Sequence, residues 1–219
     1  IGWASPGWAD TLNQLQKQEK FSKKDISRAG LIKQKEGVDE NNFYDRFRGR
    51  IMFPLQDIHG NIIAFAGRII DETEPKYLNS PETPLYVKGR HLFGFNRAKE
   101  AIRKQNKALI VEGYFDQMRA HQNGIRNTVA TCGTALTLEQ ASLLKNHTKQ
   151  VTLIFDSDSA GQAATKKGFE VLLSQGMSIE VLSLPSGHDP DSFIHQFGPE
   201  KFLEKLKNAK PFVETFIDD

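Results

Sequence analysis

Two rhythms of hydrophobic and polar positions divide the chain. Past residue 107, short apolar runs such as Ala108-Leu-Ile-Val111 and Val151-Thr-Leu-Ile-Phe155 each stop at a carboxylate, Glu112 and Asp156. Runs of this length, rich in β-branched residues, read as strands buried on both faces. Helical spacing follows each one. Tyr114–Gln122 is predicted as a helix stopped by Asn123-Gly124, and Thr137 opens another through a capping box to Gln140. A third begins at Ser159 and ends near Gly176, and Gly198-Pro199 starts a fourth. Asn127–Ala130 and Ser178–Leu184 complete a set of four strands. Strand, acid and helix in repetition predict a parallel sheet flanked by helices, with its acids at the carboxyl edge, where open sheets bind ligands.

Ahead of residue 108 the pattern is mixed. Trp8, Leu12 and Leu15 share a helical face after Ser5-Pro6, and a second helix is predicted from a Ser22 cap to Gly30. Glu36–Asn42 is a charged connector. Arg50–Leu55 and Ile62–Ala66 read as strands of a hairpin around His59-Gly60-Asn61. Strand alternation through residues 46–50 would set Arg46, Arg48 and Arg50 on one face, with Arg68 at the hairpin's exit. Such a face fits either a phosphate partner or a charge-protected edge strand. Lys76–Pro84 reads as an irregular loop. Asn96 is expected to cap a helix that turns Ala98, Ala101 and Ile102 inward. The expected class is therefore α/β, with a smaller mixed α+β basic subdomain (1–107) preceding the parallel-sheet domain (108–219).

Charge sharpens this division. The 219 residues carry a net charge of only +2, yet residues 43–107 hold twelve Lys/Arg against seven Asp/Glu, and residues 108–219 hold ten against fourteen. A basic module before an acidic one suits a polyanion on the first and a divalent metal on the second. One cysteine, Cys132, excludes an internal disulfide and a multi-cysteine zinc site, and a reducing cytoplasm is expected. Neither a membrane-spanning run nor a signal-peptide pattern is present. Because the first residue is Ile, the chain is expected to be a piece of a longer protein.

The carboxylates carry the candidate chemistry. Asp156 and Asp158 follow a buried strand, and Ser159 can cap the next helix, so the two acids exceed that need. Acids crowded at one edge repel unless a cation joins them, and magnesium takes oxygen ligands completed by water and phosphate. Glu112 has no capping role, and Gly113 beside it permits close approach of a ligand, so Glu112 fits a metal ligand or a general acid/base. Asp116, one turn on, shares its face. Asp189-Pro190 and Asp191 are either a helix start, with Asp as cap and Pro at N1, or further ligands at the same edge.

Three stretches in order then meet a family. Val111-Glu-Gly-Tyr-Phe-Asp116, Ala130–Thr137 and Phe155-Asp-Ser-Asp-Ser-Ala-Gly161 resemble the Toprim domain of DnaG-type bacterial primases. Arg46–Pro54, Ala66-Gly-Arg68, Lys76–Pro84 with Lys88-Gly-Arg90, and Leu184–Asp191 resemble further primase motifs, so the likeness covers nearly the whole chain. Ser157 stands where many primases carry Gly. The resemblance implies a Toprim-type sheet, Glu112, Asp156 and Asp158 as catalytic residues, and the same three with Asp189 and Asp191 as ligands of Mg²⁺ or Mn²⁺. It places Arg46, Arg48, Arg68, Lys76, Tyr77, Asn79 and Lys88 on a basic ridge for template and nucleotide, and Asp116 is grouped with these binding residues. The implied reaction is synthesis of RNA primers on single-stranded DNA from ribonucleoside triphosphates. Guanosine tetraphosphate is an expected ligand near Lys76 and Asn79. Helicase and single-strand-binding protein are expected to act through regions absent here, as is the family's zinc module, so no zinc and no membrane are expected.

Two rivals remain at this stage. One is a Toprim topoisomerase or nuclease; a topoisomerase would need a DNA-attacking tyrosine, and of Tyr44, Tyr77, Tyr86 and Tyr114 none lies in a separate nucleophile domain. The other is a module that binds metal and nucleotide without catalysing alone.

Overall fold

A computed structural model describes residues 1–18, 20–35, 42–71, 74–133, 135–155 and 159–215. The chain divides into two units, Ile1–Lys88 and Gly89–Asp219.

The first unit contains β1 (Gly2–Ala4), α1 (Asp10–Gln16), α2 (Lys23–Arg28), β2 (Ile32–Gln34), β3 (Phe43–Asp45), β4 (Arg50–Gln56), β5 (Ile62–Ile69) and β6 (Tyr77–Asn79). An antiparallel sheet runs β1-β4-β5-β6, and β2 pairs with β3 in a separate ribbon. The β4–β5 hairpin lies where alternation predicted it. Its turn is held by the Asp57 carboxylate, which accepts from the His59 and Asn61 amides and from Asn61 Nδ2, all at 2.9 Å. α1 begins after Ala9 rather than at Ser5, because its cap comes from elsewhere in the chain: the Asp45 carboxylate accepts the Thr11 and Leu12 amides at 2.6 and 3.0 Å. α2 has the expected Ser22 cap and stops at Gly30, where φ is +72°. There the Leu31 amide reaches back to the Ile26 carbonyl, and the Gly30 amide to that of Ser27. A side chain at Gly30 would put Cβ 2.7 Å from Pro81 Cδ, so this turn tolerates only glycine. Leu12, Ile26 and Ile32 form the core that joins α1, α2 and β2.

The second unit contains α3 (Phe95–Gln105), β7 (Ala108–Val111), α4 (Tyr114–Gln122), β8 (Thr128–Ala130), α5 (Leu138–Lys145), β9 (Gln150–Leu153), α6 (Ser159–Ser174), β10 (Ser178–Val181), α7 (Pro190–Phe197), α8 (Pro199–Lys207), β11 (Lys210–Pro211) and α9 (Phe212–Thr215). Its sheet runs β11-β10-β9-β7-β8 and is parallel except for β11. This is the expected α/β architecture, with β7 wholly buried as its unbroken apolar run requires. From β7 the chain moves outward to β8, then returns to β9 on the other side of β7. The strand order therefore reverses direction between β7 and β9, the position at which open α/β sheets bind ligands.

The division falls after Lys88 rather than at 107/108. α3 lies against β8, with Ala98 and Ile102 fully buried, and Phe93 exchanges both backbone hydrogen bonds with Ala130 at 2.9 and 3.1 Å. Gln140 Nε2 donates to the His91 carbonyl at 2.8 Å. These long-range partners attach residues 89–107 to the parallel sheet, and no local pattern announces them. Asn96 is not the cap of α3. Gly94 occupies that place at φ +77°, because any side chain there would collide with the buried Gln117 amide.

His121, in the last turn of α4, gives the unit a pH dependence. Its Nε2 lies 2.9 Å from the Thr128 carbonyl and so donates to it, while burial lowers its pKa below the ordinary 6.5. A histidine depressed on folding binds its proton more readily when unfolded, so it stabilises the fold above pH 6.5 and loses that contribution as pH falls through the depressed value. The urea midpoint should drop between about pH 7.5 and about pH 5.5 by more in the native protein than in His121→Gln.

Candidate active site

Glu112 sits at the carboxyl end of β7 and is half-buried. Its carbonyl accepts the Cys132 amide at 2.9 Å, and the Val111 carbonyl accepts that of Thr131 at 3.2 Å. The turn after β8 is thereby drawn against the end of β7. Two successive left-handed residues, Cys132 at φ +55° and Gly133 at +81°, make this turn.

Asp116 joins the next two parts. It is 6% exposed, and each of its oxygens accepts a backbone amide: Gly113 on Oδ2 at 2.9 Å and Asp191 on Oδ1 at 3.0 Å. One carboxylate thus ties the residue beside Glu112 to the start of α7, across the packing of α4 on α7. The sequence suggested a binding role for Asp116. Its geometry is instead internal, since both oxygens face backbone. Gly113 is required for the same reason: a Cβ there would lie 2.7 Å from Asp116 Oδ2, too close for the bond that holds the loop.

Asp189 and Asp191 reach the same edge by different means. Asp189 caps α7, accepting the Ser192 amide at 2.7 Å with Pro190 at N1. Asp191 Oδ1 accepts from Arg119 Nε at 2.6 Å. Sequence reading missed Arg119, which lies three residues past Asp116 on the α4 face turned to α7 and adds a cation between the two carboxylate loops. Asp156 and Asp158, the other members of the expected ligand set, lie outside the described residues. Among the described residues, no three His, Cys, Asp or Glu side chains form a group able to hold a metal ion. Glu112 and the pair Asp189/Asp191 are what the described part of the edge supplies, and Asp156 follows β9 in the sequence after Ile154 and Phe155.

The basic residues of the first unit are distributed differently from the expectation. Arg46, Arg48 and Arg50 do not share a strand face, because Gly49 at φ +60° interrupts the extended run and β4 begins only at Arg50. Arg46 donates through Nε and Nη2 to the Asn79 carbonyl at 3.1 and 2.8 Å, and its desolvation lowers its pKa. Arg50 is buried and donates to the Gly67 and Lys76 carbonyls at 3.3 and 3.4 Å. Arg48 turns toward Trp8 and Tyr44, with its guanidinium 4.2 Å and 5.2 Å from the two ring centroids. Arg68 and Tyr77 are direct cross-strand partners between β5 and β6, the guanidinium 5.6 Å from the ring. Arg46, Asn79, Arg68 and Tyr77 are therefore gathered along β6, beside exposed Lys76, while Lys88 is half-buried at the unit's end. The segment Lys76–Pro84 is not wholly a loop: β6 forms within it because β5 offers a free edge.

Comparison with known proteins bears on both units. Residues 1–99 match the family model for the DNA primase catalytic core, N-terminal domain, and residues 109–194 match that for Toprim-like domains. A DNA primase of Clostridium acetobutylicum is 42% identical over 219 residues, which is all of this chain and 36% of that protein. The chain thus spans about a third of the length of such relatives. A crystal structure of a DNA primase domain from Pseudomonas aeruginosa aligns with a TM-score of 0.89 at 38% identity, over 99% of this chain and 68% of that one. A structure of the DnaG primase catalytic domain bound to ssDNA aligns with a TM-score of 0.85 at 36% identity, over 96% of this chain and 65% of that one. With both family models matched in order and the fold shared along its whole length, the chain belongs to the DnaG-type primase family, of which it carries the catalytic-core N-terminal and Toprim-like parts.

Proposed function

We propose that this chain is the polymerising core of a primase, joining ribonucleotides 5′ to 3′ on a single-stranded DNA template. The observation that carries the reading is the switch in strand order at β7 and β9. In support, Glu112 follows β7 directly, and Asp156 follows the neighbouring β9 after Ile154 and Phe155, at the kind of switch point where open sheets bind nucleotides. In the reaction, the 3′-oxygen of the growing strand bonds to the α-phosphorus of the incoming triphosphate. The α–β bridging bond breaks, and pyrophosphate leaves.

The donor set proposed for the metal, Glu112, Asp156, Asp158, Asp189 and Asp191, is all oxygen, which suits Mg²⁺ or Mn²⁺ rather than a softer ion. Such an ion, when bound, neutralises charge on the transferring phosphate and favours deprotonation of the 3′-hydroxyl. Glu112 would either help hold that ion or take the hydroxyl proton. Asp189 and Asp191 also accept from the Ser192 amide and from Arg119, which orients them at the edge beside Glu112 and leaves each a further oxygen for the ion. Asp116 keeps the two loops in register.

The basic unit would hold the strand and the triphosphate through Arg46, Arg48, Arg68, Lys76, Tyr77, Asn79 and Lys88. Phosphate neutralisation by several of these would make binding weaken steeply as salt rises. Guanosine tetraphosphate, a triphosphate competitor by chemistry, would occupy the neighbourhood of Lys76 and Asn79. The helicase and single-strand-binding protein would act through other parts of the full-length protein, and the site of action would be the replication fork in the cytoplasm. Among the described residues, no helix is long and apolar enough to cross a membrane.

The test is direct. Supplied with a single-stranded template, four ribonucleotides and Mg²⁺, the protein should release pyrophosphate and yield short RNA. Relaxation or nicking of plasmid DNA in place of synthesis would favour the topoisomerase or nuclease reading, and nucleotide binding without product would favour a module that cannot catalyse alone.

A further inference from the structure

We infer that Arg119 helps set which divalent ion the carboxyl edge accepts. By occupying one oxygen of Asp191 it limits that carboxylate to a single bond with the ion, which favours a small octahedral cation over calcium. The inference deepens the polymerase reading and rests on the metal edge proposed there. Arg119 acts on the ion only through Asp191, so it is a positioning residue.

Two residues on one face of α4 hold Asp191 at two points. Asp116 Oδ1 accepts the Asp191 backbone amide at 3.0 Å, and Arg119, three residues further along α4, donates through Nε to Asp191 Oδ1 at 2.6 Å. Main chain and side chain are thereby both fixed, so the carboxylate does not turn freely. As a tie between α4 and α7 the ion pair adds little to the bond Asp116 already makes, because a part-exposed pair contributes weakly to stability. Its consequence lies in which oxygen it takes.

The contact is one-sided. A guanidinium that meets a carboxylate as a fork closes both oxygens. Here Nε alone engages, and among the described residues Asp191 Oδ2 accepts from no protein donor. Asp189 repeats the arrangement: its Oδ1 accepts the Ser192 amide at 2.7 Å, and its Oδ2 has no protein donor among the described residues. Asp116, by contrast, turns both oxygens to backbone amides. The two acids of the α7 start therefore each present one oxygen.

Ions differ in what they ask of a carboxylate. Magnesium takes six oxygens in a strict octahedron at about 2.0–2.1 Å and keeps several of them as water. The short bite of a carboxylate does not span the right angle between two octahedral positions, so one oxygen suffices. Calcium takes six to eight oxygens at about 2.3–2.6 Å and often closes on both oxygens of one carboxylate. Arg119 leaves the first mode open at Asp191 and blocks the second. Of the two protein donors, Ser192 uses its backbone, so Arg119 is the one that substitution can remove.

The probe is Mn²⁺, whose bound and free forms are distinguished by electron paramagnetic resonance. Bound Mn²⁺ is displaced with Mg²⁺ or with Ca²⁺, and the ratio of the two displacing affinities is compared among variants. Loss of the Arg119 charge strengthens both ions alike, because each carries two charges, so the ratio reports how many oxygens the carboxylate offers. Arg119→Met should shift the ratio toward Ca²⁺ by roughly tenfold. Arg119→Ala should give the same shift if methionine disturbs the packing of α4 on α7. Arg119→Lys, whose ammonium reaches at least as far as Nε, should return the ratio to within about twofold of native. In an Asp191→Asn background, Arg119→Met should leave the ratio unchanged, since no second carboxylate oxygen is released. Displaceable Mn²⁺ with a native ratio in Arg119→Met and Arg119→Ala overturns the inference and leaves the polymerase reading standing. A shift as large in Arg119→Lys, or one that survives in the Asp191→Asn background, also overturns it. Failure of the native protein to bind Mn²⁺, or native Mn²⁺ affinity in both Glu112→Gln and Asp156→Asn, removes the metal edge and the inference with it.

Discussion

Glu112→Gln should abolish primer synthesis, with the rate falling by roughly 10²–10⁴-fold, while affinity for single-stranded DNA stays within about twofold. The substitution keeps the side chain's length and a hydrogen-bonding oxygen but removes the negative charge that a cation or a leaving proton requires. The Cys132 amide on its carbonyl holds the Glu112 backbone in either variant. Asp156→Asn should behave alike, since the proposed donor set uses both acids. Strand binding, assigned in our proposal to the basic unit, should persist in each variant with its salt dependence intact. The measurement is pyrophosphate release beside a binding titration. Full activity in either variant would remove the carboxylate edge from the chemistry.

Asp116→Ala should have the largest effect on stability. It leaves two amides, those of Gly113 and Asp191, without their acceptor in a nearly buried place. Losing charge-assisted bonds at both would cost about 3 kcal/mol, visible as a lower urea midpoint. Asp116→Asn separates this from a requirement for charge in the reaction. An amide side chain offers one oxygen and one NH₂, so it can satisfy one backbone donor but faces the other with a second donor. The asparagine variant should therefore recover part of the stability and little of the activity, since the Glu112 loop and the start of α7 would no longer be held together. A midpoint unchanged in both variants would show that the bridge carries no strain-free structure of its own.

How far these features could be read in advance depends on the range of the interaction that fixes them. The buried strands β7 and β9, the Thr137 and Ser22 caps, the Gly30, Gly124 and Gly176 stops and the β4–β5 hairpin are set by neighbours a few residues away, and local pattern revealed them. The three-residue strands β1, β2, β3 and β6 are too short to show a period, so they form only because a partner edge is present. The start of α1 was misplaced because its capping carboxylate, Asp45, arrives from 34 residues along the chain. The arginine triplet was misread for a local reason of the other kind: Gly49 takes a left-handed conformation that alternation cannot foresee. At the carboxyl edge, Glu112 stood out as an acid with no capping role, whereas Asp189 serves as the cap of α7, and Asp156 and Asp158 lie outside the described residues. The order of the acids in space was not legible, because strand order is a global property. Arg119 gave no signal at all, as a basic residue on a helix is ordinarily a solvated one.

The sheet of the second unit has margins that bear on how the protein behaves when crowded. At one side Phe93 completes both hydrogen bonds of Ala130, the last residue of β8, and at the other β11 consists only of Lys210 and Pro211. Proline has no amide to offer a newcomer, and lysine would bring its charge into any dry seam. Neither side invites a foreign strand to zip alongside. A fold whose most apolar strands lie at its centre can thus accumulate to high concentration without seeding fibrils from its own sheet.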